Sequence, residues 1–451
     1  MMYLLLALLQ YGGPSHMNGD TTPAALDRKY PVRPLAIVSF DVRVRTSSSA
    51  VKATAFVRFY DDRNNEILTY RAAPVSGNTW QGTGYYTEAP ALARTVELGV
   101  AAHEKDSVWT DSLQVDLDRR VSHTPDVDLG EYLKPFWKSD TIYNETVLLY
   151  SEKGKTASGR LLFNPDKIIS VRSFDLKTAY RGYRISGRTI SGPELPFRAD
   201  TSFEQVKDFA WYNLQSQWVV VTYTHHDAFE GPTPTYKGDL LPLSREKLRK
   251  HEPLRIVAYG MSITRGLDVS GFDTIPPYMP TYVDLFALEL KVAYQDPGVV
   301  MYNAGLPGSV IDWGADNVQN YVTPLHPDLV ILDFGMNDFW RTTPEAFGRY
   351  MDTMMAKIPH AEFILLSNMQ FDPAYLKNSD GKADWYTSNL LGYSAELRRR
   401  EGPHVANLDM TTLSGYIYSR KKAKDCVVNP LHPNDYLARW YAQGLGALLI
   451  P

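Results

Sequence analysis

The order of hydrophobic and polar positions divides the chain into regions of different texture. From Leu35 to about Asp118, short runs alternate between apolar and polar residues, which is typical of half-buried β-strands. Turn-forming residues separate the runs. The strands predicted in this region are Ile37–Val44, Val51–Tyr60, Thr79–Tyr86 and Thr95–Val100. Regular short strands of this kind predict an antiparallel β-sandwich module over residues 31–120.

A second strand-rich region follows a polar linker that runs from Asp118 to Gly130. Its predicted strands are Thr146–Tyr150, Gly159–Phe163, Ile169–Phe174 and Trp218–Tyr223. The spacing again favours an antiparallel arrangement. We therefore expect a second β-sandwich, similar to a jelly roll, over residues 131–245.

From Leu254 onward, apolar bursts alternate with amphipathic segments of helical period. The predicted strands are Leu254–Tyr259, Gly298–Tyr302, Leu329–Phe334, Phe363–Ser367 and Val405–Leu408. The predicted helices are Tyr282–Tyr294, Pro344–Ile358, Trp385–Arg400 and Asp435–Leu449. Buried strands separated by helices predict a parallel sheet in a three-layer α/β/α domain over residues 250–451.

The first 30 residues carry no fold signal. Met1 to Leu9 is apolar, as in the core of a signal peptide, but it lacks a basic segment before it and a clear cleavage site after it. A short export signal and an unstructured native terminus both remain open. An export signal would make the protein secreted or periplasmic, and a cytoplasmic location is not excluded.

Composition narrows the classes of partner. The 47 basic and 51 acidic residues give a net charge of −4, so no basic field is present to hold a nucleic acid. No run of eighteen apolar residues is found, and we expect no stable membrane insertion. The single cysteine rules out an intrachain disulfide and cysteine-rich zinc sites. The oligomeric state is not indicated.

Residues capable of catalysis follow the strands of the predicted parallel sheet. In such sheets, ligands bind beyond the carboxyl ends of the strands. Ser262 follows the first strand in a tight turn, where a serine can act as a nucleophile. Gly308 follows the second strand and Asn337 the third, and His432 stands between a leucine and a proline before the last helix. Each residue alone is more typical of a cap, a turn or a structural contact.

The four residues together resemble the SGNH hydrolases, also called GDSL-type esterases and lipases. The resemblance covers about Leu254 to Pro451 and includes the bacterial multidomain members that act on carbohydrate esters. It is carried by the segments Tyr259-Gly260-Met261-Ser262-Ile263-Thr264, Phe334-Gly335-Met336-Asn337-Asp338 and His432-Pro433-Asn434-Asp435.

The resemblance implies a serine esterase without metal or cofactor. Ser262 would be the nucleophile and His432 its general base. The backbone N–H groups of Ser262 and Gly308 and the amide of Asn337 would form the oxyanion hole. The expected substrate is a small-molecule or polysaccharide ester with a short acyl group, most simply acetyl.

Two positions depart from the pattern of the family. Met261 stands where the family usually has an aspartate. Asn429 stands three residues before His432, where the family normally has its acid. We favour a Ser–His dyad that Asn429 orients through its side-chain oxygen. A backbone carbonyl in that role, or an acid from elsewhere such as Asp425 or Asp435, remains open.

Residues that follow the strands predict the substrate rim. Their mixture of aromatic and polar side chains suits a sugar better than a long acyl chain. The candidates are Arg265, Asp268, Asp273, Tyr278, Trp313, Asp338, Phe339 and Trp340. The two departures also favour an alternative, a carbohydrate-binding or adhesion protein with impaired catalysis. A lipase or thioesterase of the same family is a further alternative.

Overall fold

The computed structural model describes residues 28–102, 108–117, 125–149, 156–193, 218–295, 298–372 and 383–451. The chain forms two compact units. The first consists of residues 1–120 and 317–325, and the second of residues 121–316 and 326–451. The expected signal segment and most of the expected linker, residues 118–124, lie outside the described residues. Within these ranges, every helix is too short or too polar to cross a lipid bilayer.

The first unit contains two antiparallel sheets. Its strands are β1 (Arg28–Pro31), β2 (Ile37–Thr46), β3 (Ala53–Tyr60), β4 (Glu66–Arg71), β5 (Gln81–Glu88), β6 (Thr95–Ala102) and β7 (Val108–Asp116). One sheet has the order β1-β6-β3-β4 and the other the order β5-β2-β7. All four strands expected from the alternating pattern are found here, with ends shifted by a few residues.

The two sheets of the first unit enclose one hydrophobic core. Phe40 and Val42 of β2 and Val57 and Phe59 of β3 are buried in the same cluster, although β2 and β3 belong to different sheets. Alternate residues of β2 are buried, because successive side chains of a strand point to opposite faces. The period of two in the apolar residues of β2 thus indicates which face of the strand packs inward.

The second strand-rich region differs from the separate module that we expected. Its elements are α1 (Leu129–Tyr132), β8 (Thr141–Leu148), β9 (Ala157–Arg160), β10 (Lys167–Ser173), β11 (Arg184–Ser186), β12 (Thr189–Gly192) and β13 (Trp218–Thr224). They form two three-stranded sheets, β10-β13-β8 and β11-β12-β9. Both belong to the same compact unit as the parallel sheet.

Polar contacts join β8 to the C-terminal part of the second unit. Asp425 accepts a hydrogen bond from the backbone N–H of Leu148 at 2.7 Å. Arg439 donates to the carbonyl of Tyr143 at 2.8 Å. The sequence pattern of a strand depends on that strand alone, so it cannot show that β8 satisfies a polar group 296 positions away.

The second unit is built on a five-stranded parallel sheet. Its strands are β14 (Leu254–Gly260), β15 (Val299–Gly305), β16 (Leu329–Asp333), β17 (Glu362–Ser367) and β18 (Val405–Asp409). Their order is β15-β14-β16-β17-β18, and every neighbouring pair is parallel. The predicted parallel α/β sheet and its five strands are confirmed. The continuous apolar runs arise because both faces of such a sheet are covered.

Helices connect the parallel strands. They are α2 (Pro242–Lys250), α3 (Ser262–Arg265), α4 (Tyr282–Ala293), α5 (Ile311–Tyr321), α6 (Pro344–Ala356), α7 (Ala383–Arg399), α8 (Met410–Arg420) and α9 (Asp435–Leu449). Short 3₁₀ helices cover Thr323–Leu325 and Ala423–Asp425. Helix α4 packs against α9, and α6 packs against α7. The four predicted helices match α4, α6, α7 and α9.

Strand order predicts a ligand site at the carboxyl edge of the sheet. The chain leaves β14 toward β15 on one side, and later adds β16 on the other side of β14. Loops at the carboxyl ends of β14, β15 and β16 therefore diverge around a common point, where open α/β sheets bind ligands. A two-stranded ribbon of β19 (Val427–Asn429) and β20 (His432–Pro433) follows α8 and precedes α9.

Candidate active site

The turn between β14 and α3 presents Ser262. Gly260 ends the strand where a side chain has no space, because an added Cβ would lie 2.1 Å from Thr264 Oγ1 and 2.2 Å from the carbonyl oxygen of Asp333. The backbone N–H of Met261 donates to Thr264 Oγ1 at 3.0 Å, which closes the turn. Ser262 is the first residue of α3, so its backbone N–H has no partner within the helix.

His432 meets this serine across 170 positions of sequence. Ser262 Oγ lies 2.7 Å from His432 Nε2, within hydrogen-bond distance. The ribbon of β19 and β20 holds the histidine, and Asn434 caps α9 by accepting from the backbone N–H groups of Tyr436 and Leu437 at 3.1 Å. The structure thus brings together the serine and the imidazole that the sequence singled out.

The group against the second ring nitrogen of His432 differs from the one expected. Asp268 Oδ2 forms a short hydrogen bond with Nδ1 of His432. Asn429, which we expected to orient the ring through its oxygen, uses that oxygen to accept from the backbone N–H groups of Leu431 and His432, at 2.8 and 2.9 Å. The second alternative was a backbone carbonyl at Nδ1 of His432. The Asp268 carboxylate occupies that place in the structure.

The two other acids considered from the sequence are engaged elsewhere. Asp435 accepts from the backbone N–H and the hydroxyl of Ser270, at 2.8 and 2.7 Å. Asp425 binds the backbone of Leu148. Both carboxyl groups are buried, and desolvation raises the pKa of each to about 6. Their place in the sequence next to His432 does not bring them to its Nδ1.

The expected oxyanion donors lie on loops that are bonded to one another. Asn337 donates its side-chain amide to the carbonyl of Ser309 at 2.9 Å. The Ser309 hydroxyl donates to the carbonyl of Gly260 at 2.9 Å, which links the loops that follow β14, β15 and β16. Gly308 has φ +78°, and among the described residues nothing lies within 4 Å of a Cβ added there. Its backbone therefore borders open space.

Met261 fills the position of the family's aspartate with an apolar side chain. It is fully buried, and its sulfur lies 3.9 Å from the amide nitrogen of Asn337. A thioether accepts hydrogen bonds only weakly. The Asn337 amide is therefore oriented mainly by Ser309.

The expected rim residues differ in how far the structure exposes them. Asp273, Tyr278, Trp313 and Phe339 are all half-buried, which leaves part of each side chain accessible. Asp338 is fully buried and accepts from the backbone N–H of Ile311 at 2.9 Å. We expected it in the substrate rim, and in this structure it holds the start of α5 instead. Trp340 is half exposed.

A buried polar cluster adjoins the turn that carries Ser262. Asp333, at the end of β16, accepts from Thr264 and Tyr282 through Oδ2 at 2.7 and 2.8 Å, and from Asn368 through Oδ1 at 2.8 Å. Desolvation raises the pKa of Asp333 to about 6, and these hydrogen bonds oppose the shift.

Sequence reasoning missed the parts played by Asp268, Thr264 and Asp333. Asp268 was counted only among rim candidates, because the usual acid of the resembled family lies close to the histidine in sequence. A usable signal was present: an amide at the acid's usual position together with an aspartate six residues after the nucleophile. Thr264 and Asp333 carry no pattern of their own, since their contact spans 69 positions.

Several solved structures are similar to part of this chain. A two-domain esterase (CEX) active on acetylated mannans, co-crystallised with mannopentaose, is 19% identical over 49% of this chain and 57% of its own, with a TM-score of 0.37. An acetyl-xylooligosaccharide esterase, Axe2 of Geobacillus stearothermophilus, is 16% identical over 43% of this chain and 94% of its own, with a TM-score of 0.36.

A third similar structure is a member of the lipolytic protein G-D-S-L family from Veillonella parvula. It is 18% identical over 42% of this chain and 95% of its own, with a TM-score of 0.33. These neighbours are esterases and lipolytic proteins. No family model matches the chain, and no curated protein is similar to it.

Proposed function

We propose that this protein is a serine esterase that hydrolyses short acyl esters, most simply acetyl esters carried by a carbohydrate. The observation that carries the proposal is the 2.7 Å contact between Ser262 Oγ and His432 Nε2 at the carboxyl edge of the parallel sheet. A nucleophile within hydrogen-bond reach of a base is the arrangement that covalent acyl transfer requires.

The first half of the reaction forms an acyl-enzyme. Neutral His432 accepts the hydroxyl proton of Ser262 at Nε2 while Oγ attacks the ester carbonyl carbon. The tetrahedral intermediate collapses, the bond to the alcohol oxygen breaks, and His432 returns the proton to that oxygen. The alcohol, here a sugar hydroxyl, then leaves.

The second half repeats the same steps with water. His432 takes a proton from a water molecule as the water oxygen attacks the acyl carbon. Collapse of this intermediate breaks the bond to Ser262 Oγ, and His432 returns the proton to the serine. The products are acetate and the free enzyme, and the proton released by the acid goes to solvent.

Three donors would hold the negative oxygen of both intermediates. They are the backbone N–H groups of Ser262 and Gly308 and the side-chain amide of Asn337. The chain of hydrogen bonds through Ser309 supports this assignment, because it holds the three loops in one arrangement before substrate arrives. Each such donor is typically worth about 3 kcal/mol in the transition state.

Aromatic and polar residues beside the site support a sugar as the alcohol. Trp313 and Phe339 follow Gly308 and Asn337 closely in sequence, and both are half-buried. Trp340 is half exposed, with the Arg341 guanidinium 5.7 Å from its ring centroid. An accessible aromatic face beside charged groups suits a ring that has both apolar and hydroxylated faces.

The test is hydrolysis measured on two series of esters. Acetylated mono- and oligosaccharides, with acetate release followed, are compared with p-nitrophenyl esters of increasing acyl length. We expect turnover of acetyl esters and a decline with chain length. Ser262→Ala should lower kcat by at least about 10³-fold, while Ser419→Ala, an exposed serine on α8, should leave it unchanged.

Three outcomes would count against the proposal. Turnover by Ser262→Ala close to that of the wild type would exclude Ser262 as nucleophile. Preference for long acyl chains would indicate a lipase. Folded protein that binds acetylated oligosaccharides but releases no acetate would indicate the binding protein that the sequence left open.

A further inference from the structure

The carboxylate bonded to Nδ1 of His432 comes from Asp268. The pattern of the resembled family predicts it three residues before the histidine, at Asn429. Asp268 lies six residues after Ser262, in the segment that follows α3, and its side chain is 1% exposed. Its backbone has φ +68°, a conformation that aspartate tolerates better than most residues. Asp268 Oδ2 receives the hydrogen bond of the His432 Nδ1–H.

Asn429 has the orientation needed to hold this carboxylate. Two backbone N–H groups, those of Leu431 and His432, point at one end of its side chain at 2.8 and 2.9 Å. Backbone N–H groups only donate, so that end is the oxygen. The amide nitrogen therefore faces the other way and donates to Asp268 Oδ2 at 2.8 Å.

Asn429 and Asp268 thus share the space around Nδ1 of His432. The Asn429 nitrogen lies 3.0 Å from Nδ1, so the site where the family's acid would stand is occupied by an amide of nearly the same shape. Asp268 Oδ2 accepts one hydrogen bond from the Asn429 amide and one from the His432 Nδ1–H. A carboxylate oxygen that accepts two such donors is held in one position.

We infer that Asp268 supplies the acid of this site while the amide of Asn429 occupies the acid's usual position (the exchange), and that together they position His432 for catalysis. The inference rests on the proposed esterase function. Asp268 keeps the Nδ1–H tautomer, leaves Nε2 free to accept the Ser262 proton, and stabilises the imidazolium that results. Every proton transfer takes place at Nε2, which exchanges protons with Ser262, the leaving alcohol and water, and no proton passes to Asp268. Asn429 acts through Asp268.

The exchange can be tested because the two side chains are nearly isosteric. Asp268→Asn removes the charge, and we expect kcat to fall by about 10³- to 10⁴-fold, with KM within about threefold. The double variant Asp268→Asn/Asn429→Asp returns a carboxylate to the other side of Nδ1. It should recover kcat to within about 100-fold of the wild type, which is at least about tenfold above Asp268→Asn. Asp239→Asn, which removes an exposed carboxylate, serves as the charge control and should match the wild type.

Thermal unfolding of each variant separates loss of catalysis from loss of structure. If Asp268→Asn does not fold, the double variant alone tests the inference. A folded double variant with kcat within about 100-fold of the wild type supports the exchange, because only a restored acid explains it. A folded double variant that is as inactive as Ser262→Ala overturns it.

Failure of this inference is distinguishable from failure of the esterase proposal. If Ser262→Ala and His432→Ala are inactive while Asp268→Asn keeps kcat within about fivefold of the wild type, the esterase stands and the exchange is wrong. If Ser262→Ala keeps its activity, the proposed function itself is wrong.

Discussion

Thr264 donates its hydroxyl to the carboxylate of Asp333 at 2.7 Å and accepts the backbone N–H of Met261 at 3.0 Å. One side chain therefore connects the turn that carries Ser262 to the end of the central strand β16. The fully buried side chain of Thr264 therefore holds this turn in place. The geometry of Ser262 consequently depends on Thr264, a buried residue two positions further along the chain.

Replacement of Thr264 by valine should weaken both folding and turnover. The change keeps the shape of the side chain but leaves the Met261 N–H and Asp333 each without one partner, at a cost of about 1–3 kcal/mol for a buried polar group. We expect a lower midpoint in urea unfolding and a lower kcat. Thr353→Val, on the exposed surface of α6, is the matched control. Equal midpoints for the two variants would contradict this role.

Asn337→Ala should lower kcat by about 10²- to 10³-fold, the loss typical of one oxyanion donor. KM should change little, because the amide acts on charge that develops only in the transition state. Steady-state kinetics with a soluble acetyl ester measure both constants. A large rise in KM with kcat unchanged would show that Asn337 binds ground-state substrate instead.

Trp340→Ala should distinguish sugar esters from simple esters. An aromatic contact worth about 0.5–1.5 kcal/mol would raise KM by about 2- to 12-fold for acetylated oligosaccharides. KM for p-nitrophenyl acetate, which lacks the sugar, should not change. Trp109→Ala, an exposed tryptophan of the first unit, is the control. An equal effect on both substrates would remove Trp340 from the sugar rim.

The buried ion pair of Lys421 and Glu145 should be costly to break. Both side chains are 0% exposed, and Glu145 also accepts from Tyr223 at 2.6 Å. Lys421→Met leaves a buried carboxylate without its cation, and we expect a loss of about 3–5 kcal/mol. Lys250→Met, in an exposed pair with Glu246, should cost at most about 1 kcal/mol.

The double variant Lys421→Met/Glu145→Gln provides the internal check on this pair. It removes both charges, so it should cost less than the sum of the single changes. Chemical unfolding of the four proteins completes the cycle. Strict additivity would show that the two residues do not stabilise each other.

Asp338 should make stability depend on pH. Desolvation raises the pKa of this carboxyl from its ordinary 3.8 to about 7 in the folded protein. Between these values the folded chain holds a proton that the unfolded chain has released. Raising the pH therefore favours unfolding, and the effect levels off only above about pH 7.

Asp338→Asn removes this titration while keeping the oxygen that accepts from Ile311. The unfolding free energy of the wild type relative to the variant should accordingly fall between about pH 5 and about pH 8. Urea unfolding at the two values measures it. Asp316→Asn, an exposed residue of α5, should show no such trend. A difference that rises with pH would contradict the assigned cause.

The sequence predicts the parallel sheet well because its strands and helices are long and strongly patterned. Each of the five strands was placed within a few residues, and α9 begins and ends where its period predicts. Ser262 and His432 could be recognised because short local motifs surround them. These features depend on neighbouring residues in the chain.

Contacts between distant residues could not be predicted in this way. Asp268 reaches His432 across 164 positions, through a backbone conformation that no periodicity indicates. Asn429 was assigned to the ring because of its place in the sequence, and its hydrogen bonds direct it to the carboxylate instead. The contacts that join the second strand-rich region to the C-terminal part of the second unit also link distant residues, so the sequence pattern does not predict them.

The hydrogen bonds between β8 and the C-terminal part of the second unit bear on how this protein could have evolved. Loss of residues 125–245 would take the Leu148 N–H away from Asp425 and the Tyr143 carbonyl away from Arg439, and both of these charged side chains are buried. Recombination at the border of the parallel sheet would therefore yield a defective descendant. We therefore expect this region to be retained together with the parallel sheet, and its mutations to covary with those of the last helix.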